Sequence, residues 1–137
     1  MILVDTSPLV ALVEPRDALH ARALRDLDRL ARRAMVVCDP VLTEACFLLH
    51  QDVQRRRLAR LLAALPLGPL PPALGEDERR ADAFRWLHRY AEHEPDWADA
   101  YLAVVASRER GVKVWTYDPE FRTTWRRLDG RPIPLAT

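Results

Sequence analysis

A chain of 137 residues is long enough for one hydrophobic core and too short for a core plus a large second module, so residues 1–137 read as a single domain. With 49% hydrophobic and 30% charged residues the composition is that of a folded globular protein, neither disordered nor fibrous. The net charge of +1 points to no strongly charged partner, and of 21 basic residues all but Lys113 are arginine, which leaves one candidate for any lysine-dependent chemistry.

The opening run "MILVDTSPLVALV" is apolar but is broken by Asp5 and has no basic leader, so it is expected to be a strand and helix rather than a signal peptide. Residues 2–5 form the strand, and Thr6-Ser7-Pro8 starts the helix. Over 17–33, Leu19, Ala23, Leu27 and Leu30 recur at helical spacing. Residues 35–38 are a second buried strand, and Asp39-Pro40 opens a helix to about His50. A further helix over about 51–64 carries Arg55, Arg56, Arg57 and Arg60 on a solvated face.

The proline- and glycine-rich stretch 65–78 reads as a loop with room for one short edge strand. Helix resumes over 76–93, Pro95 breaks it, and a buried helix runs from Trp97 to about Arg110. Gly111 ends that helix, residues 112–117 are a strand, Asp118-Pro119 opens a last short helix, and "RPIPL" supplies another edge strand. Strands alternating with helices predict an α/β fold: a three-layer α/β/α domain around a mostly parallel sheet of four to five strands. No stretch is long and apolar enough to span a membrane. The two cysteines, Cys38 and Cys46, make no disulfide framework, and a cytoplasmic location is expected.

Functional crevices in such sheets lie at the carboxyl ends of the strands. Asp5 ends the first strand and Asp118 follows the last central one, so both fall on that rim. Asp99 shares a helical face with Leu102, Ala103 and Ala106, and Glu44 shares one with Val41, Phe47 and Leu48, which turns both acids inward. Taken singly, each acid is well explained as a helix cap or an arginine partner. Four inward carboxylates near one rim, with no cation on their faces, instead call for a metal counter-charge. Oxygen ligands favour Mg²⁺ or Mn²⁺ over zinc. The Cys46/His50 pair reads as packing and a helix end rather than a zinc site, and the Trp86, Trp97, Tyr101 and Trp115 aromatics as core or dimer contacts.

The blocks "ILVDTSPLVAL", "VLTEACFLL" and "DWADAYLAVVASRERGVKVWTYDPEF" resemble, in order and separation, the acidic blocks of PIN-domain nucleases, especially the small VapC-like toxins of toxin–antitoxin pairs. The resemblance implies that Asp5, Glu44, Asp99 and Asp118 are the acidic quartet, with Asp96 an accessory metal ligand. Thr6 and Thr116 match hydroxyl positions beside the site, and Arg122 and Arg126, with Arg127, are the expected contacts to RNA. It further implies a Mg²⁺- or Mn²⁺-dependent endoribonuclease, a homodimer, and a small antitoxin partner, with the first helix (Pro8, Leu9, Leu12, Val13) contributing to the contact surfaces. The rival readings are a housekeeping RNA-processing nuclease and a PIN-like module that binds RNA or protein without cutting. Phosphatases of the haloacid-dehalogenase type fit poorly, because Ser7 stands where their second acid belongs. Receiver domains fit poorly too, because Lys113 lies at the wrong end of its strand.

Overall fold

A computed structural model of the chain describes residues 1–70 and 75–137. Its elements in chain order are β1 (Ile2–Val4), α1 (Thr6–Val13), α2 (His20–Leu30), β2 (Met35–Val36), α3 (Asp39–Leu48), α4 (Asp52–Ala64) and α5 (Glu76–Arg89). A 3-10 turn (Ala91–His93), α6 (Trp97–Arg108), β3 (Lys113–Trp115) and α7 (Glu120–Thr123) complete them.

The sheet is parallel throughout, in the order β2-β1-β3. Leu3 pairs with Val36 on one side and Val114 on the other, so β1 is central and Ile2, Leu3 and Val4 are fully buried. An uninterrupted apolar triplet is what a strand covered on both faces requires. The chain leaves β1 to build β2 on one side and later β3 on the other, which makes the carboxyl end of β1 a topological switch point. Helix α6 is buried from Ala98 through Ala106 over most of its circumference, and the small residues Ala98, Ala100, Ala103 and Ala106 let it pack closely into the interior. Gly111, at φ 74°, supplies the left-handed turn between α6 and β3.

The described sheet has three strands where four to five were expected. The two anticipated edge strands shrink to single parallel bridges, Met35 with Leu67 and Val114 with Leu135. The prolines explain this: Pro66 and Pro69 bracket Leu67, Pro132 and Pro134 precede Leu135, and each lacks the N–H that a longer ladder needs. Part of the expected loop, residues 71–74, lies outside the described residues.

Of the four first-helix residues expected at a contact surface, Leu12 alone stays partly exposed. Pro8, Leu9 and Val13 are buried within the chain, where α1 packs against α2, α3 and α4. The most exposed large apolar side chains among the described residues are elsewhere: Phe47 and Leu48 on α3 and Phe84 on α5, with Phe47 80% exposed. The same exposure corrects the face drawn for Glu44: Val41 and Ala45 point into the core, whereas Phe47 and Leu48 do not.

Candidate active site

The carboxyl end of β1 opens into a cavity of about 330 Å³ whose lining includes Asp5, Asp17, Glu44, Asp96, Asp99 and Asp118 and no arginine or lysine. The six acids reach it from five parts of the chain, Asp96 and Asp99 together from the start of α6. Asp5 is the residue at which β1 becomes α1; its carboxylate accepts the Thr6 N–H at 2.7 Å, capping the helix, and the Thr116 hydroxyl at 2.6 Å. Asp96 and Asp99 form a reciprocal capping box at the start of α6, the Asp99 N–H donating to Asp96 at 2.8 Å and the Asp96 N–H to Asp99 at 3.1 Å. Asp118 follows β3 and accepts the Glu120 N–H at 2.9 Å. Glu44 projects from α3 and accepts the Thr6 hydroxyl at 2.6 Å.

The capping roles and the convergence on one cavity are therefore both real. A helix N-terminus that needs a carboxylate acceptor fixes the rotamer of Asp5, Asp96 and Asp99, and the strand order brings those helix starts to one place. The hydroxyls form a second set of constraints. Thr116 Oγ1 donates to Asp5 and accepts the Asp118 N–H at 3.0 Å, so one side chain spans two of the acids. Ser7 Oγ accepts the Tyr117 N–H at 2.9 Å.

The electrostatics are those of negative charge confined without a counter-ion. Burial raises the Asp5 carboxyl to about 6, against the hydrogen bonds from Thr116 and Thr6 and with help from the Asp118 and Asp96 charges. Burial, then the Asp96 charge, raises Asp99 to about 8. Glu44 is also raised, first by burial, with the Thr6 hydroxyl opposing and Asp96 and Asp5 adding to the rise. None of these acids forms an ion pair among the described residues.

A bound divalent ion would remove this repulsion. Among the described residues no three His, Cys, Asp or Glu side chains are drawn together tightly enough to enclose an ion by themselves. The arrangement fits a hard cation that keeps much of its water shell, since Mg²⁺ is usually held through one or two carboxylates plus water and substrate oxygens. The donor set is entirely oxygen, which disfavours zinc.

The structure thus brings together Asp5, Glu44, Asp96, Asp99, Asp118 and Thr6 around one cavity, with Thr116 directly behind Asp5. It does not bring in the arginines. Arg122 donates to the Thr137 carbonyl and Arg126 to the Trp125 carbonyl, and neither lines the cavity. Ser7 and Asp17 line it and were not singled out from the sequence. Ser7 was absorbed into a helix-start signal, and Asp17, which accepts the Leu19 N–H at 2.8 Å, carries no spacing that sets it apart from an ordinary turn residue. A larger groove of about 580 Å³ adjoins the cavity, sharing Glu44 and Asp96 with it and walled by Phe47, Trp97 and Tyr101. Trp86 and Trp115 are core residues, His50 is exposed, and Cys38 is buried, its thiol pushed up to about 12 chiefly by desolvation. No helix among the described residues is long and apolar enough to cross a membrane.

Comparison with known proteins identifies the fold and the family. The fold matches the crystal structure of Mycobacterium tuberculosis VapC20, described as a sarcin-ricin loop cleaving toxin, with a TM-score of 0.68 at 24% identity over 90% of this chain and 94% of that one. No curated protein sequence matches closely enough to count as a relative. The profile of the PIN domain matches residues 2–125, from β1 through α7 and including every acid of the cavity, and the chain therefore belongs to the PIN-domain family.

Proposed function

We propose that this protein is a divalent-metal-dependent endoribonuclease, using Mg²⁺ or Mn²⁺, and that it is the toxin of a toxin–antitoxin pair. The observation that carries the reading is the cavity at the switch point: six carboxylates from five parts of the chain, no cation in the lining, and Asp5 and Asp99 lifted well above the usual carboxylate range. Membership of the PIN family and the fold shared with a toxin described as cleaving the sarcin-ricin loop support it.

Asp5, Glu44 and Asp99 would hold the ion, and Asp118 with Asp96 would hold a second ion or orient the attacking water. When bound, the ion supplies Lewis-acid polarisation of a phosphate oxygen and lowers the pKa of a water. The hydroxyls of Thr116 and Thr6 keep Asp5 and Glu44 aimed through their 2.6 Å bonds, which reduces the reorganisation needed when substrate arrives. Attack by water leaves a 5′-phosphate and a 3′-hydroxyl and needs no covalent intermediate with the protein. Arg122, exposed on α7 just after Asp118, and Arg126 are the proposed contacts to the RNA backbone. The exposed Phe47, Leu48 and Phe84 near the aromatic groove are the proposed surface for a second copy and for the antitoxin.

The test is incubation with labelled structured RNA in Mg²⁺, in Mn²⁺ and in EDTA. Cleavage that requires the metal and is lost in Asp5→Asn supports the assignment. Cleavage that persists in EDTA or in that variant overturns it, and RNA bound but never cut makes the protein a binding module.

A further inference from the structure

Thr116 and Asp118 serve the cavity, and Tyr117 between them has a different set of partners. Its hydroxyl donates to Asp26 Oδ2 at 2.7 Å and accepts the Trp115 indole N–H at 3.2 Å, and its backbone N–H donates to Ser7. Asp26 lies on α2, ninety-one positions earlier, and is only 3% exposed. A buried carboxylate is costly unless it is paired and hydrogen-bonded. This one is paired with Arg29 and, at 3.7 Å, with Arg22, whose guanidinium also sits 4.8 Å from the centre of the Tyr117 ring. Burial, then the bond to Asp26, pushes the tyrosine hydroxyl up to about 12, so it remains a donor at any working pH.

We infer that Asp26 is a positioning residue for the acid cavity: through the Tyr117 hydroxyl it fixes the turn that presents Thr116 to Asp5 and holds Asp118 at the cavity wall. The other ties on this turn, Thr116 to Asp5 and Tyr117 to Ser7, both run to residues that line the cavity. The Asp26 bond is the hydrogen bond that ties the turn to α2 behind it, beside the Arg22 guanidinium stacked on the Tyr117 ring. Losing it leaves only the less directional ring contact to oppose the side where the carboxylates repel one another. This role rests on the nuclease reading of the cavity.

The test compares the parent with Tyr117→Phe, which keeps the ring under Arg22 and removes the hydroxyl, with Asp26→Ala, and with Asp26→Asn, which keeps an acceptor oxygen. Two readouts are taken: amide hydrogen exchange in the metal-free protein, and kcat and KM for RNA cleavage. Tyr117→Phe and Asp26→Ala are expected to speed exchange at the Asp118 amide and to lower kcat, each by about tenfold, the size of one net hydrogen bond, with KM little changed. Exchange at Leu3 and Val114 stays slow, and Asp26→Asn recovers most of the loss. Variants that melt lower but match the parent in Asp118 exchange and kcat make Asp26 merely structural and overturn the inference while the nuclease assignment stands. A parent that never cleaves RNA overturns that assignment, and this role with it.

Discussion

Replacing Asp5 by asparagine is expected to stabilise the metal-free protein at neutral pH while abolishing its activity. The side chain is 5% exposed, and its carboxyl is raised from 3.8 to about 6. The folded protein therefore holds a proton that the unfolded chain has released, so this group's contribution is fully favourable below 3.8 and is lost as pH rises to about 6. Above that range the ionised Asp5 costs about 3 kcal/mol. Asparagine removes this cost. Its amide oxygen still accepts the Thr6 N–H, but its NH₂ meets the Thr116 hydroxyl, which now donates to Asp5, and that mismatch costs about 1 to 1.5 kcal/mol. The net gain at pH 7.5 is about 1 to 2 kcal/mol, roughly 3 to 8 °C in melting temperature for a chain of this size. It shrinks toward zero near pH 5, where the parent's Asp5 is mostly protonated. Thermal melts of parent and variant in EDTA at pH 5, 6 and 7.5 measure this, and repeating them with Mn²⁺ shows whether the parent alone gains stability from the metal. Destabilisation of the variant by more than about 2 kcal/mol at every pH, with the Mn²⁺ shift intact, would make Asp5 a structural helix cap and refute the reasoning.

Asp99→Asn is expected to leave the metal-free melting temperature unchanged or raised, because the amide oxygen still accepts the Asp96 N–H while the charge is gone; it should lose the Mn²⁺ shift and all cleavage. Asp96→Asn should show the same losses more weakly, since Asp96 is exposed. Arg122→Ala should raise KM for RNA with kcat nearly unchanged and reduce the slope of log KM against log salt by about one, as loss of one phosphate contact does; an unchanged salt slope removes Arg122 from the interface. Light scattering is expected to show a dimer for the parent and a monomer for Phe47→Glu, because a charge placed on an 80% exposed phenylalanine disrupts an apolar contact; a monomeric parent, or a dimer in both, moves the interface elsewhere.

Helical and strand periodicity made part of this site legible in advance. Asp99 was correctly turned inward because Leu102, Ala103 and Ala106 occupy its face and are all buried. Asp5 and Asp118 were placed on one rim by the direction of parallel strands, a consequence of alternation along the chain. The same rule half failed for Glu44, because α3 lies at the edge of the packing and its apolar residues Phe47 and Leu48 face outward; hydrophobicity alone cannot tell a core stripe from an exposed patch. On α1 the apolar face expected to contribute to a contact surface is mostly covered by the chain's own helices, with Leu12 left partly exposed. Strand length was overestimated where prolines interrupt an apolar run, as in 65–70 and 131–135. Ser7 and the Asp26–Tyr117 bond were out of reach, because their partners are set by tertiary packing across up to 110 positions, and Asp17, whose side chain bonds Leu19 close by in sequence, looks like any turn residue until the fold brings it to the cavity.

The measurement that tests the central claim most directly is identification of the RNA product ends formed with Mn²⁺. Water activated within the acid cavity predicts 5′-phosphate and 3′-hydroxyl termini, formed only with the metal and absent with Asp5→Asn or Asp99→Asn. Termini carrying a 2′,3′-cyclic phosphate, formed equally well in EDTA, would show that the ribose hydroxyl attacks without a metal and would contradict the account.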